Sequence, residues 1–268
     1  MSLLLSIILF AAALVASFFG LGGGVLYTPI QLWFKVPFNE ASSTSLLLIL
    51  ITSFSATIVF RHKHRVDWKL ALLLEIPTTA GAFIGGILSE YFSPNFLTGI
   101  LILLLLLSAF LMIRPPEKHY SLCTIREVRK NSLWFWKREW NGNFYYLNLR
   151  CVFPIMFIVG TIISIVGISG GVIKIPIMVL LLGIPMPIAI GSSAFMVGLT
   201  ALAGLLGHAS IGHVNWHTAL LLAVPVFIGA QIGSRASVHI KTRKIKHLYG
   251  WFLIIVAIVT FLRAWGFI

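Results

Sequence analysis

Long stretches with almost no charge decide what this chain can become. Leu3 to Phe19, Leu46 to Phe60, Leu70 to Leu88, Phe96 to Ile113, Ile188 to Leu206, Ala219 to Ile232 and Trp251 to Leu262 are apolar runs set between polar segments. A helix crosses a bilayer with ~20 apolar residues, and several runs reach that length alone or with their flanks. Such helices satisfy their own backbone hydrogen bonds, which lipid demands. Composition agrees: of 268 residues, 59% are hydrophobic and 10% charged, with a mean hydropathy of +0.99. A soluble domain of this size has too little charge here to solvate its surface. The expectation is an all-α, multi-pass integral membrane protein. Met1 to Phe19 has no basic start and runs on through Gly20 to Pro29, so it reads as a retained first helix rather than a cleaved leader.

Duplication is the second constraint. Gly20-Leu-Gly-Gly-Gly-Val-Leu-Tyr-Thr-Pro29 returns as Gly167-Ile-Ser-Gly-Gly-Val-Ile-Lys-Ile-Pro176. With one inserted residue the match continues. Pro37 pairs with Pro185, Ala41 with Ala189, Thr44-Ser45 with Ser192-Ser193 and Thr52 with Thr200. Val66-Asp67-Trp68 pairs with Val214-Asn215-Trp216, Pro77 with Pro225, Gly81-Ala82 with Gly229-Ala230, and Gly85 with Gly233. Shared apolar composition does not place Gly, Pro, Trp and Ser at common spacing over such a distance. The halves are residues 1–113 and 152–268, joined by a basic, aromatic linker over 114–151. Trp134, Phe135, Trp136 and Trp140 alternate there with Lys137 and Arg138, which suits a membrane interface, and Asn141-Gly142-Asn143 signals a turn.

Charge selects the topology. Four simple crossings per half would put Arg61–Arg65 and the linker on one side and Lys241, Arg243, Lys244 and Lys246 on the other, against the positive-inside rule. An unbroken helix from Val152 to Leu182 would be about 46 Å long, well beyond a bilayer core of ~30 Å. Glycines sit near its middle, where helix continuity is least favoured. If the first helix of each half breaks at the Gly-rich motif and returns to the side it entered from, the halves become two inverted repeats. The basic segments 61–69, 114–150 and 241–246 then all face the cytoplasm. The outside loops are 36–42, 91–96, 183–187 and 209–217, none with Lys or Arg. Secondary transporters commonly use this design. The net charge of +13 is read as topology signal beside anionic lipid, not as a nucleic-acid footprint.

The glycine motifs are the sharpest chemical signal. A broken helix frees backbone N–H groups, and the N-terminus of the following segment favours an anion. The plainer reading is close helix packing through small residues. Candidate substrate-binding residues are Gly22, Gly23, Gly24, Ser169, Gly170 and Gly171, with hydroxyls from Thr44, Ser45, Ser192 and Ser193. Thr52 and Thr200 lie two turns further in. Lys174 stands where the first repeat has Tyr27, and an intramembrane cation is a functional candidate unless it snorkels or pairs with Glu75. Gln231 and Arg235 share a helix face. Glu75 and His208 are candidates for ion coupling. After Glu139 the chain contains no Asp or Glu, so the path offers cations, hydroxyls and helix N-termini, which favours an anionic substrate. His213 and His217, at i and i+4, sit at a helix boundary, and Cys123 and Cys151 show neither metal-ligand spacing nor a disulfide framework. No strand precedes either glycine motif, against a dinucleotide fingerprint. No metal and no cofactor is expected.

At these residues the chain resembles the TauE/SafE family, the sulfite-exporter-like transporters. The resemblance rests on Gly20–Pro29, Thr44-Ser45 and Val66-Asp67-Trp68, on their second-half counterparts, and on Gly229-Ala-Gln-Ile-Gly-Ser-Arg235. It implies a non-enzymatic plasma-membrane transporter, usually an exporter, of organic or sulfur-containing anions such as sulfite, sulfoacetate or related sulfonates. Alternating access would work around a central site between the repeats. The implied partners are a small anion and membrane lipid, with the protein a monomer or homodimer. Ser169, Asn215 and Lys174 depart from the family pattern. Two rivals remain: a passive anion channel, and an intramembrane enzyme or sensor, for which no nucleophile–base pair is visible.

Overall fold

The computed structural model describes residues 3–88, 91, 94–113, 135–140, 143–166, 170–210 and 216–264. Among them are ten helices: α1 (Leu3–Phe18), α2 (Gly24–Trp33), α3 (Phe38–His62), α4 (Trp68–Leu88), α5 (Pro94–Ile113), α6 (Leu149–Val166), α7 (Gly171–Leu180), α8 (Met186–Ser210), α9 (Trp216–His239) and α10 (Thr242–Ala264). Glu40–His62, Met186–Leu206, Trp216–His239 and Thr242–Leu262 are long and apolar enough to cross a membrane. Each half of the sequence contributes five helices in the same order of lengths, with a ten-residue helix second.

The fold is not all-α. Strands β1 (Phe135–Trp140) and β2 (Asn143–Asn148) pair antiparallel in the linker, with Phe135 opposite Asn148 and Trp140 opposite Asn143. Aromatic residues on either side of Asn141-Gly142 are a hairpin signal, and helical periodicity is absent there. On one face Tyr145 and Leu147 are buried, and Arg138 lies 4.5 Å over the Trp136 ring. Cys151, at the start of α6, is disulfide-bonded, contrary to the reading that no disulfide framework is visible. The chain's other cysteine, Cys123, lies outside the described residues.

The chain forms two compact units, and neither follows the sequence repeats. One comprises Met1–Ala71, Ile168–Gly171 and Ile190–Lys241; the other comprises Leu72–Gly167, Val172–Ala189 and Thr242–Ile268. Each therefore draws helices from both halves.

In the first unit, α1 packs along α9 through glycine. Any side chain at Gly229 would strike the Phe10 carbonyl, and one at Gly233 the Leu14 carbonyl. Small residues allow this backbone approach, the main source of helix affinity in lipid. Leu5, Leu9 and Ala13 of α1 share a buried cluster with Tyr27 and Ile30 of α2, Leu48 of α3, Val197 of α8 and Leu222 of α9. Helices α3 and α8 run antiparallel: Gly204 lies against Leu46, Gly198 against Ser53, and Gly191 against Arg65 just beyond α3.

The connection from α3 to α4 closes this unit at one end. Arg65 donates to the carbonyls of Ser237 and Val238 at 3.3 and 2.7 Å, supplying partners that the last turn of α9 cannot find within the helix. Burial draws its pKa below the ordinary arginine value, yet it stays cationic at neutral pH. The Asp67 N–H donates to Ser192 Oγ at 3.1 Å, and Asp67 Oδ1 accepts from the Leu70 N–H to cap α4. So α8 begins at the end where α3 stops. That corrects the charge-based placing of 183–187 opposite 61–69. With no charge in 183–187, the positive-inside rule had nothing to act on there.

In the second unit the same glycine device recurs. Side chains at Gly81 and Gly85 of α4 would strike the carbonyls of Phe157 and Thr161 of α6, and one at Gly160 the carbonyl of Thr78. Phe157 and Thr161 are the repeat counterparts of Phe10 and Leu14. Helix α10 packs on α5, and Tyr249 donates to the Val172 carbonyl at 2.9 Å. Pro77 lies inside α4 and Pro154 inside α6, and both border an apolar recess of about 350 Å³, lined by Leu73, Ile76, Pro77, Phe153, Pro154 and Phe157.

Candidate anion site

The helix break in the first repeat is built by glycine. Helix α1 closes at Gly20 (φ +68°) with the Leu21 N–H on the Ala16 carbonyl at 2.8 Å and the Gly20 N–H on Ser17 at 3.1 Å. This double closure around a left-handed residue is a Schellman cap. Gly22 (φ +71°) and Gly23 (φ +93°) hold the chain in the left-handed region until α2 begins at Gly24. No side chain caps α2. The first backbone bonds of its new turn run from Leu26 and Tyr27 to the Gly23 carbonyl, so the N–H groups of residues 22–25 donate to none of the described turns and caps. A helix start of this kind carries about half a positive charge.

The Ser53 hydroxyl borders that start. A Cβ on Gly22 would lie 2.8 Å from Ser53 Oγ and 3.2 Å from Ile49 on α3, and would also strike Val197 on α8. Ser53 is 1% exposed and its hydroxyl has no partner. Thr57 and Ser193 are likewise buried with unpartnered hydroxyls. Thr57 lies one turn from Ser53 on α3, and Ser193 one turn from Val197 on α8, each on the same helix face. The antiparallel register brings those two turns to the same level. Beside them Tyr27 and Thr52 share a 2.6 Å hydrogen bond. The arrangement offers donors and no carboxylate, a setting for a small anion.

The expected residues divide. Gly22, Gly23 and Gly24 stand at the site, and Ser193 adjoins it. Gly171 meets the first motif, where a Cβ would lie 2.9 Å from the Cα of Leu21. Gly170 sits in the turn before α7. Ser45 and Thr44 do not reach this point: they precede Ser53 by about 12–14 Å of helix. Ser45 accepts from Gln31 Nε2 at 2.8 Å, whereas Thr44 is buried without a partner. Ser192 is taken by the Asp67 N–H. Gln231 donates to Ser55 Oγ at 2.9 Å, and Arg235 is exposed. Thr200 turns back to the Met196 carbonyl of its own helix. Lys174 pairs with Glu75 at 2.8 Å in the second unit. Ser169, His213 and the side chain of His208 lie outside the described residues, and His217 is exposed.

Sequence reasoning passed over Ser53, Thr57 and Gln31. A signal was present: Thr52, Ser53, Ser55 and Thr57 crowd hydroxyls into six residues of an otherwise apolar run.

Helices long and apolar enough to cross a membrane, packed on one another through glycine, set the chain among membrane proteins as a class. The profile of the family described as "Sulfite exporter TauE/SafE" matches residues 5–260. The chain belongs to that family. It is 30% identical over 244 residues to the "Probable membrane transporter protein YunE" of Bacillus subtilis (strain 168), covering 87% of this chain and 88% of the relative. It is 24% identical to the "Probable membrane transporter protein MJ0441" of Methanocaldococcus jannaschii, covering 91% and 89%. It is also 23% identical to the "Sulfite exporter TauE/SafE family protein 6" of Arabidopsis thaliana, covering 85% and 72%. No solved structure matches it.

Proposed function

We propose that the chain is a secondary transporter of the plasma membrane that exports small organic or sulfur-containing anions, among them sulfite, sulfoacetate and related sulfonates. It works by alternating access between two inverted repeats. One observation carries the reading: the uncapped start of α2 faces the unpartnered, buried Ser53 hydroxyl across Gly22. Sulfonate and sulfite oxygens accept hydrogen bonds in all directions, which suits a ring of N–H and O–H donors.

Inversion is supported by equivalent helices. α3 and α8 occupy the same place in their repeats and run antiparallel. The α1–α9 contact in one unit has its counterpart in the α6–α4 contact of the other, residue for residue. Arg65 at the end of α9 brings the basic segments 61–69 and 239–241 to one end of their unit, as the positive-inside rule requires.

Purified protein in proteoliposomes tests the reading. A carrier exchanges labelled sulfite, sulfoacetate or isethionate and is accelerated by unlabelled anion on the far side. A passive channel conducts without that trans-stimulation. Flux lacking both saturation and trans-stimulation would replace the carrier with the channel.

A further inference from the structure

Glu75 and Lys174 form an ion pair that the Gly22–Ser53 site does not use. Lys174 Nζ donates to Glu75 Oε2 at 2.8 Å; the residues are 3% and 8% exposed. Lys174 is the fourth residue of α7, at the positive end of the helix dipole and so at the wrong end for a cation. Glu75 is the eighth residue of α4, inside its apolar run. The duplicated architecture does not require the pair, because the counterparts of Lys174 and Glu75 are Tyr27 and Ala223. Desolvating two such charges costs about as much as their attraction returns, and an apolar pair would serve stability as well. Intramembrane ionisable groups retained at that cost mark ion pathways.

Few other titratable groups lie on the described helices of this unit. Helix α5 has no titratable residue, α7 has only Lys174, and α6 has Arg150 and Cys151 in its first turn. Helix α4 adds Lys69 in its first turn. Helix α10 carries Arg243, Lys244, Lys246, His247, Tyr249 and Arg263, of which Tyr249 donates to the Val172 carbonyl two residues before Lys174. Among the described residues of these helices Glu75 is the one carboxylate.

We propose that this pair couples anion movement to protons, a step that rests on the anion-transporter reading above. The Glu75 carboxylate takes one proton from the aqueous phase on the side where the anion enters. The Lys174 ammonium, left without its counter-charge, accepts a substrate monoanion in place of the carboxylate. Charge balances: carboxylate and ammonium sum to zero, and so do carboxyl, ammonium and monoanion. One proton and one monoanion therefore travel together, with no net charge moved. Export runs when the anion's outward gradient exceeds the opposing proton gradient.

The test uses the full chain in proteoliposomes with labelled isethionate, a sulfonate that stays monoanionic across the pH range. Wild-type counterflow without any pH gradient comes first; its absence for isethionate, sulfoacetate and sulfite alike removes the transporter reading and this proposal with it. With counterflow present, an acidic exterior is expected to drive accumulation of up to about tenfold per pH unit, unchanged by an imposed membrane potential. Glu75→Gln, fixed in the protonated form, is expected to keep counterflow and lose the pH-driven accumulation. Wild-type counterflow indifferent to pH, or Glu75→Gln accumulating like wild type, overturns the coupling while leaving the transporter reading in place. Should Glu75→Gln fail to fold, the double variant Glu75→Gln with Lys174→Gln carries the same test, and pH-driven accumulation surviving in it overturns the proposal.

Discussion

Gly22 and Ser53 meet where a helix has been interrupted: a Cβ at Gly22 would lie 2.8 Å from the Ser53 hydroxyl. The left-handed backbone at Gly22 lies between α1 and α2, and the missing side chain leaves the space beside the hydroxyl open. Alanine opposes both features. Gly22→Ala is expected to cost about 1–2 kcal/mol for the left-handed conformation and a further ~1–3 kcal/mol for overpacking against Val197. The measurement is a fall in melting temperature in detergent. Gly99→Ala is the control: nothing lies within 4 Å of a Cβ there, so in α5 the change should be neutral or stabilising by up to ~1 kcal/mol.

Ser53→Ala should leave the fold intact, because the hydroxyl has no protein partner to lose. Anion affinity is expected to fall about tenfold to a hundredfold, the value of a hydrogen bond to a charged group. Ligand-dependent thermal shift reads this directly, since binding raises apparent stability. Thr200→Ala should not change the shift, because Thr200 already donates to its own helix. Equal losses in both variants would remove Ser53 from the site.

Gly85→Ala and Gly233→Ala are expected to destabilise by similar amounts, about 1–3 kcal/mol each. Each added methyl strikes a backbone carbonyl of the partnering helix, Thr161 in one unit and Leu14 in the other. Melting curves that differ widely between the two would argue against equivalent packing of the two helix pairs.

Arg65→Met should lower stability by about 1.5–3 kcal/mol, because two carbonyls at the end of α9 lose a charged donor. Arg65→Lys should recover only part of this. A guanidinium forks to two acceptors at once, whereas an ammonium on a flexible stem does so poorly. Full recovery by lysine would mean that charge alone, near the helix C-terminus, is what matters.

Much of the fold was legible in residue order. Apolar runs called for a membrane, and the repeated Gly, Pro and Trp spacing called for two like halves. The glycine cluster at 20–24 marked the end of α1 because several adjacent glycines make helix continuation costly. The Asn141-Gly142 turn between aromatic runs foretold a hairpin, but it was read only as a turn in an interfacial linker. The site was legible in part. Glycine needs announce themselves locally; the use of a hydroxyl depends on which helix it faces. Thr44-Ser45 and Ser192-Ser193 stood out as matched pairs, yet Gln31 and Asp67 occupy one member of each. Ser53, with no counterpart hydroxyl in the second repeat, turned out to face the break.

Residue order alone thus determined the helices long and apolar enough for a membrane and the stop of α1 before its glycines, because each follows from transfer free energy or backbone sterics over a few neighbouring residues. Only tertiary structure decided that each compact unit mixes helices of both repeats, that α8 begins beside Arg65, and that Lys174 answers Glu75. Those are contacts between positions far apart in the chain, made by glycine-lined close approach and by the need to pair charge away from water. No local pattern encodes which distant partner will be met.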